Sequence, residues 1–146
     1  MMRIPMRVDY GIRALVELAQ HDAEGHVSTA EIARRQEIPE PYLDQLLSTL
    51  QKFGLIRSRR GPQGGHALAK SPGDINLEMV MVTLEGTGEP LVCLEDPGEC
   101  GLSSACAQRE VWQTVGDTIN SVLRSTSIGD LANKQQRLAS RGMYYI

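Results

Sequence analysis

Between Ser28 and Ala69 the chain has few ways to fold. Ser28-Thr29-Ala30-Glu31 is a capping-box pattern, with Ser28 at the N-cap and Glu31 three residues on. It predicts a short helix over about 29–36 that buries Ile32 and Ala33 and breaks at Ile38-Pro39. Pro41 suits the first turn of a further helix over 39–53. Leu43, Leu46, Leu47, Leu50 and Phe53 form its apolar face, and Tyr42, Asp44, Gln45, Ser48, Thr49 and Lys52 the opposite one. Gly54 stops it. Leu55–Arg60 then reads as a strand, Gly61-Pro62-Gln63-Gly64-Gly65 as a turn and His66–Ala69 as a returning strand. Two short helices with a tight turn between them, followed by an arginine-bearing hairpin, fit a helix-turn-helix with a basic wing. A helix over 6–21 precedes the run, with Val8, Ile12, Leu15, Val16 and Ala19 on one face. Aromatic residues are only 4% of the chain, so the core must be aliphatic.

The formal net charge of −3 gives no bulk attraction to nucleic acid, but the charge is unevenly placed. Residues 1–70 carry ten Lys/Arg against eight Asp/Glu, and residues 71–146 carry five against ten. Phosphate contacts are therefore expected from the first half, with Arg57, Arg59 and Arg60 of the wing foremost and His66 close by. His21 and His26 read as surface groups. No nucleophile–base pair or phosphate loop appears, which points away from an enzyme. The amino terminus, with Arg3, Arg7, Asp9 and Arg13, lacks the apolar run of a signal peptide, and no segment approaches the roughly 20 apolar residues of a membrane span. A reducing cytoplasm is the expected compartment.

Past the turn at Ser71–Asp74 a helix is expected over 77–85, ending at Gly86. Next comes Cys93-Leu-Glu-Asp-Pro-Gly-Glu-Cys100-Gly-Leu-Ser-Ser-Ala-Cys106, which holds every cysteine in the chain. Pro97, Gly98 and Gly101 predict a loop. Gaps of six and five residues exceed the usual spacing of zinc knuckles and suit a wider iron–sulfur cluster. Zinc, one disulfide with a spare thiol, or inert thiols remain open on this pattern. A helix over 107–125 follows, in which Trp112, Val115, Ile119 and Val122 mark an a/d seam. Such a seam suits pairing with its own copy in a homodimer, or packing on its own domain. Residues 126–146 read as a short helical turn near Ile128–Leu131 and then a loose tail.

These pieces together resemble the small winged-helix repressors of the IscR, NsrR and RirA type. The resemblance covers residues 2 to about 133. It is carried by Tyr42-Leu43-Asp44-Gln45-Leu46, Gly54-Leu55-Ile56, Arg60-Gly61-Pro62-Gln63-Gly64-Gly65, Glu85-Gly86, the cysteine loop and Trp112. It implies a mainly α fold with a small β-hairpin wing and a long carboxy-terminal dimerisation helix. It also implies a [2Fe–2S] or [4Fe–4S] centre on Cys93, Cys100 and Cys106, although the first gap is six residues where five is more usual. IscR-like members place a histidine ligand where this chain has Arg109, which stays protonated and cannot ligate. NsrR-like members can use an amino-terminal aspartate from the other subunit, and Asp9 falls there, which favours [4Fe–4S]. Asp9 equally suits a carboxylate complementing its helix dipole, and Glu95, Asp96 and Glu99 are local rivals.

The expected organisation is a winged helix-turn-helix over residues 1–86, a cluster loop over 87–106, a dimerisation helix over 107–125 and a tail over 126–146. The implied function is a cytoplasmic, DNA-binding transcriptional regulator, of repressor type, that binds a near-palindromic operator as a homodimer. It would respond to nitric oxide, redox state or iron and cluster supply. In that reading Pro41, Tyr42, Asp44, Gln45 and Ser48 lie where base edges are touched, with Asp44 matched to cytosine, while Arg60 enters the minor groove and Arg57 and Arg59 hold phosphates. The rivals are a DNA-binding regulator with zinc or no metal at its cysteines, and an iron–sulfur redox protein.

Overall fold

The computed structural model describes residues 3–86 and 88–144. Thr87, the first two residues of the expected amino-terminal unit and the last two of the expected tail lie outside the described residues. The helices are α1 Met6–Gln20, α2 Thr29–Gln36, α3 Glu40–Lys52, α4 Leu77–Glu85, α5 Val92–Glu95, α6 Arg109–Ser125 and α7 Ile128–Tyr144. Strands β1 Ile56–Arg59 and β2 Gly65–Leu68 pair antiparallel, with Ser58 opposite His66 and Arg59 opposite Gly65.

The core is aliphatic, as the composition requires. Leu15, Ile32, Leu43, Leu50, Ile75, Val80 and Ile128 are fully buried and come from α1, α2, α3, α4, α7 and the turn before α4. Each such side chain contributes about 1.5–3 kcal/mol through burial. α3 sits on this core through Leu43, Leu46, Leu47 and Leu50 and turns its polar face outward. Phe53, expected on the inner face, is instead 59% exposed. The helix ends at Lys52, and Gly54, at φ 79°, turns the chain before the ring can follow the leucines inward.

Ser28 caps α2 by accepting from the Glu31 amide at 3.2 Å. The reciprocal half of that capping box does not form, because the Glu31 carboxylate pairs with Arg34 and Arg35. The tail expectation is corrected: Ile128–Tyr144 form the helix α7, whose first turns bury Ile128 and Ala132. It opens on a complete reciprocal cap, in which the Ser127 amide donates to Asp130 Oδ2 at 2.9 Å and the Asp130 amide to Ser127 Oγ at 3.0 Å. α7 packs along α1, and α6 lies across α4. The cysteine segment is also more ordered than a plain loop. Cys93 sits in the single turn α5, and Pro97–Glu99 forms a 3₁₀ turn.

Candidate nucleic-acid interface and thiol site

α3 begins after Pro39, and Pro41 lies in its first turn. Pro41, Tyr42, Asp44, Gln45 and Ser48 are all exposed on its outer face, where the sequence placed them. In β1, Ile56 and Ser58 face inward while Arg57 and Arg59 face outward, and Arg60 follows directly, also exposed. None of the three arginines has an ion-pair partner among the described residues. The guanidinium groups are therefore available to an external anion.

His66, expected near DNA, is half-buried between the wing and the start of α2 rather than free on that outer surface. Its ring has Nδ1 against the Ser58 hydroxyl at 2.7 Å and Nε2 against the Thr29 hydroxyl at 2.8 Å. Backbone bonds reinforce the contact: Val27 N donates to His66 O at 2.8 Å, and His66 N to Val27 O at 2.7 Å. Burial pushes the imidazole below its ordinary value near 6.5, against the opposing Asp44 carboxylate and with help from His26. The wing is thus clasped to the start of α2. Gly65, at φ 146°, makes the approach possible, since a side chain there would meet the Val27 carbonyl.

His21 is likewise more than a surface group. Glu17 is only 4% exposed and accepts from Arg35 NH1 at 2.9 Å and Gln36 Nε2 at 2.8 Å, with His21 Nε2 at 3.1 Å. Burial alone would raise the Glu17 carboxyl, but the bonds from Arg35 and Gln36 and the neighbouring charges outweigh it and hold the group below the usual carboxylate range. This network fastens α1 to α2.

A second chain of contacts runs from Asp9 to the outer face of α3. Arg13 NH2 donates to Asp9 Oδ2 at 3.1 Å, and Arg13 NH1 to the Gln36 carbonyl at 2.7 Å. The same guanidinium lies 4.8 Å from the centre of the Tyr10 ring, which meets Tyr42 edge-on at 5.5 Å and 80°. Arg13 was not singled out from the sequence, although its spacing of four from Asp9 was a readable signal.

The three thiols are free; Cys93 is buried, and Cys100 and Cys106 are half-buried. Among the described residues no three His, Cys, Asp or Glu side chains converge closely enough to hold a metal ion, and Asp9 is not brought to the thiols within this one chain. Two of its local rivals are already engaged: Glu95 accepts from the Glu89 amide at 2.9 Å and Asp96 from the Gly98 amide at 3.0 Å. Arg109 lies beside Cys106 in the wall of one cleft, with NH2 3.5 Å from the Cys93 carbonyl. Its Nε is buried without a hydrogen-bond partner. It is also the one cation between Lys70 and Arg124.

The expected seam on α6 divides between two faces. Trp112 and Ile119, with Gly116 and Leu123, line a groove against Met81 and Val82 of α4. Val115 and Val122 belong to the neighbouring face with Val111, where Val111 and Val122 are each 60% exposed. At Gly116 an added Cβ would press on Glu89 and Pro90, so α6 touches the segment leading to Cys93.

The family model for Rrf2, described as an iron-dependent transcriptional regulator, matches residues 4–134. The HTH-type transcriptional regulator CymR of Bacillus subtilis (strain 168) is 35% identical over 145 residues, covering 99% of this chain and all of that protein. The regulator IscR of Pectobacterium carotovorum is 34% identical over 137 residues, 94% of this chain and 83% of that one. Among solved structures, CymR, the global cysteine regulator of B. subtilis, superposes with a TM-score of 0.78 at 36% identity over 92% of this chain and 98% of its own. IscR of T. potens superposes with a TM-score of 0.76 at 35% identity over 92% and 88%. These relatives are transcriptional regulators, not enzymes. With a winged helix-turn-helix, a basic hairpin and this extent of similarity, the chain belongs to the Rrf2 family of winged-helix transcriptional regulators.

Proposed function

We propose that this Rrf2-family regulator is a cytoplasmic repressor whose grip on DNA is set by an iron–sulfur cluster held on Cys93, Cys100 and Cys106. The observation that carries the reading is the donor set: three free thiols within fourteen residues, with Arg109, whose Nε is buried and unpartnered, sharing a cleft with Cys106. Thiolates are the usual cluster ligands, and a guanidinium in the same cleft as one of them would offset part of their charge. A bound cluster would supply reactivity toward nitric oxide and oxidants and a dependence on iron supply. Asp9 of a second copy is the fourth ligand proposed, with [4Fe–4S] favoured. The second copy joins through α6, where Trp112, Val115, Ile119 and Val122 supply apolar surface.

The route from ligand to DNA is the contact chain already described. Asp9 holds Arg13, Arg13 ties α1 to the end of α2 and covers Tyr10, and Tyr10 braces Tyr42 at the start of α3. A carboxylate drawn toward a cluster would leave Arg13 with the Gln36 carbonyl and the Tyr10 ring but without its charge partner, and α3 would then be braced differently. That is a shift between two discrete arrangements. The two α3 helices of a dimer would meet half-sites roughly 34–36 Å apart on a near-palindromic operator. There Pro41, Asp44 and Ser48 face base edges, with Tyr42 and Gln45 on the same outer face. Arg60 would enter the minor groove, and Arg57 and Arg59 would meet phosphates.

A second reading, a regulator with zinc or no metal whose thiols respond directly, is supported by the similarity to CymR, the global cysteine regulator of B. subtilis. Anaerobic purification with iron and sulfide counts, followed by DNA binding before and after nitric oxide, separates the two. Bound iron and sulfide with nitric-oxide-sensitive binding is expected; a colourless protein that binds DNA regardless of nitric oxide sinks the cluster reading.

A further inference from the structure

A cleft of about 390 Å³ opens between the amino-terminal end of α1 and the outer face of α3, lined by Arg7, Tyr42, Gln45, Leu46 and Thr49. Arg7 is its one charged group, is exposed, and makes no ion pair among the described residues. No carboxylate lines the cleft. The Tyr42 hydroxyl and the Gln45 amide, both able to donate, have no hydrogen-bond partner among the described residues, whereas the Thr49 hydroxyl already donates to the Gln45 carbonyl at 3.1 Å. Tyr42 is held in place by its edge-on contact with Tyr10.

The outer face of α3 therefore carries two parallel stripes. Pro41, Asp44 and Ser48 recur at spacings of three and four, and so do Tyr42, Gln45 and Thr49, displaced by one residue toward α1. A one-residue step is about 100° around a helix, so one stripe can face a groove floor while the other faces the strand at its edge. We propose that the cleft seats a DNA-backbone phosphate at the edge of the major groove, with Arg7 as its cation and Tyr42 and Gln45 as its hydrogen-bond donors. Tyr42 and Gln45 then position the protein, and base reading is left to the Pro41–Asp44–Ser48 stripe. This rests on α3 being the DNA-reading helix and is independent of any metal at the cysteines. The chemistry alone would equally suit free inorganic phosphate; the placement beside the reading stripe selects the phosphate of DNA.

The test titrates a selected binding site and a random duplex of roughly 30 base pairs, each across about 50–200 mM salt. Arg7→Gln should lower the magnitude of the log–log salt slope by about 0.9 for each copy of the cleft engaged, and Arg7→Lys should restore it. Tyr42→Phe, which keeps the ring packing, and Gln45→Ala should each weaken both duplexes by the same factor, roughly three- to tenfold. Thermal melts of every variant confirm folding. An unchanged slope in folded Arg7→Gln overturns the proposal, as does a loss in Tyr42→Phe or Gln45→Ala confined to the selected site. Replacing chloride with inorganic phosphate at matched ionic strength should not displace the wild-type protein. Displacement that vanishes in Arg7→Gln would make the cleft a free-phosphate site and overturn the DNA assignment. Wild-type protein that binds neither duplex would instead fail the DNA-reading role of α3, a result separate from any effect of Arg7.

Discussion

The reading head, residues 28–69, and the thiol segment, residues 88–108, are held in opposite ways. The first is anchored by buried Ile32, Leu43, Leu47, Leu50 and Leu68, by the His66 clasp and, through Arg35 and Gln36, by the buried Glu17. In the second, Cys93 is the only buried residue, Val92 and Leu102 stand 66% and 71% exposed, and the bonds are local turns. Local stability follows buried apolar contact, so the head should open only with the whole domain and the thiol segment well before it. The difference suits a regulator whose DNA-reading geometry must stay fixed while a second region exchanges partners.

Several substitutions would break or sharpen this contrast. Gly65→Val should cost most, about 3–4 kcal/mol, because it combines an unfavourable positive φ with a clash at the Val27 carbonyl. Denaturant unfolding should show it, with DNA binding lost at the same time. Glu17→Ala should cost about 2 kcal/mol by removing the buried acceptor of Gln36 Nε2 and Arg35 NH1 at the α1–α2 contact, while Arg35 keeps its pair with Glu31. A melt unchanged from wild type would show that the network is ornamental. Asp44→Ala should leave stability alone and relax discrimination at one base pair per half-site by roughly 1–3 kcal/mol, measurable by competition with single-base variants of the operator.

A gentler effect should follow pH. The folded state holds His66 below its ordinary value near 6.5, so the unfolded chain takes the proton more readily. The stability contributed by the neutral ring is fully present above that value and is lost as pH falls through it. Denaturation at about pH 7.5 and about pH 5.5 should show a smaller pH difference in His66→Gln than in wild type. The smallest effect on folding belongs to the thiol segment: Cys100→Ala or Cys106→Ala should change stability by no more than about 0.5 kcal/mol and, on the cluster proposal, abolish iron binding. Iron retained in full by both variants would move the ligands elsewhere.

The parts legible in the sequence are those set by local chemistry. Ser28, Pro39, Gly54 and Gly86 punctuate the helices, and the leucines of α3 mark its buried side. What escaped depends on neighbours far along the chain. His66 reads as a wing residue until Thr29 is brought against it, and Glu17 reads as a solvated carboxylate until Arg35 and Gln36 arrive. The placement of Arg7 beside Tyr42 and Gln45 is of the same kind. α7 is different, because Ser127 and Asp130 at cap spacing, followed by Leu131 and Ala132, were available to be read. Polar composition beyond them hid a helix that α1 stabilises by packing. On α6 the apolar spacing was visible, but its division between the α4 groove and the outward Val115–Val122 face requires the position of α4.

The His66 clasp also decides which parts of this regulator can be exchanged. A wing transplanted from a relative would carry its own arginines but lose its footing unless Val27 and Thr29, far upstream, came with it. The outer stripe of α3 has no such tether, since Pro41, Asp44 and Ser48 have no side-chain hydrogen-bond partner among the described residues. A lineage can therefore change the sequence it recognises by altering a few free side chains, while its wing and the opening of α2 must be inherited together.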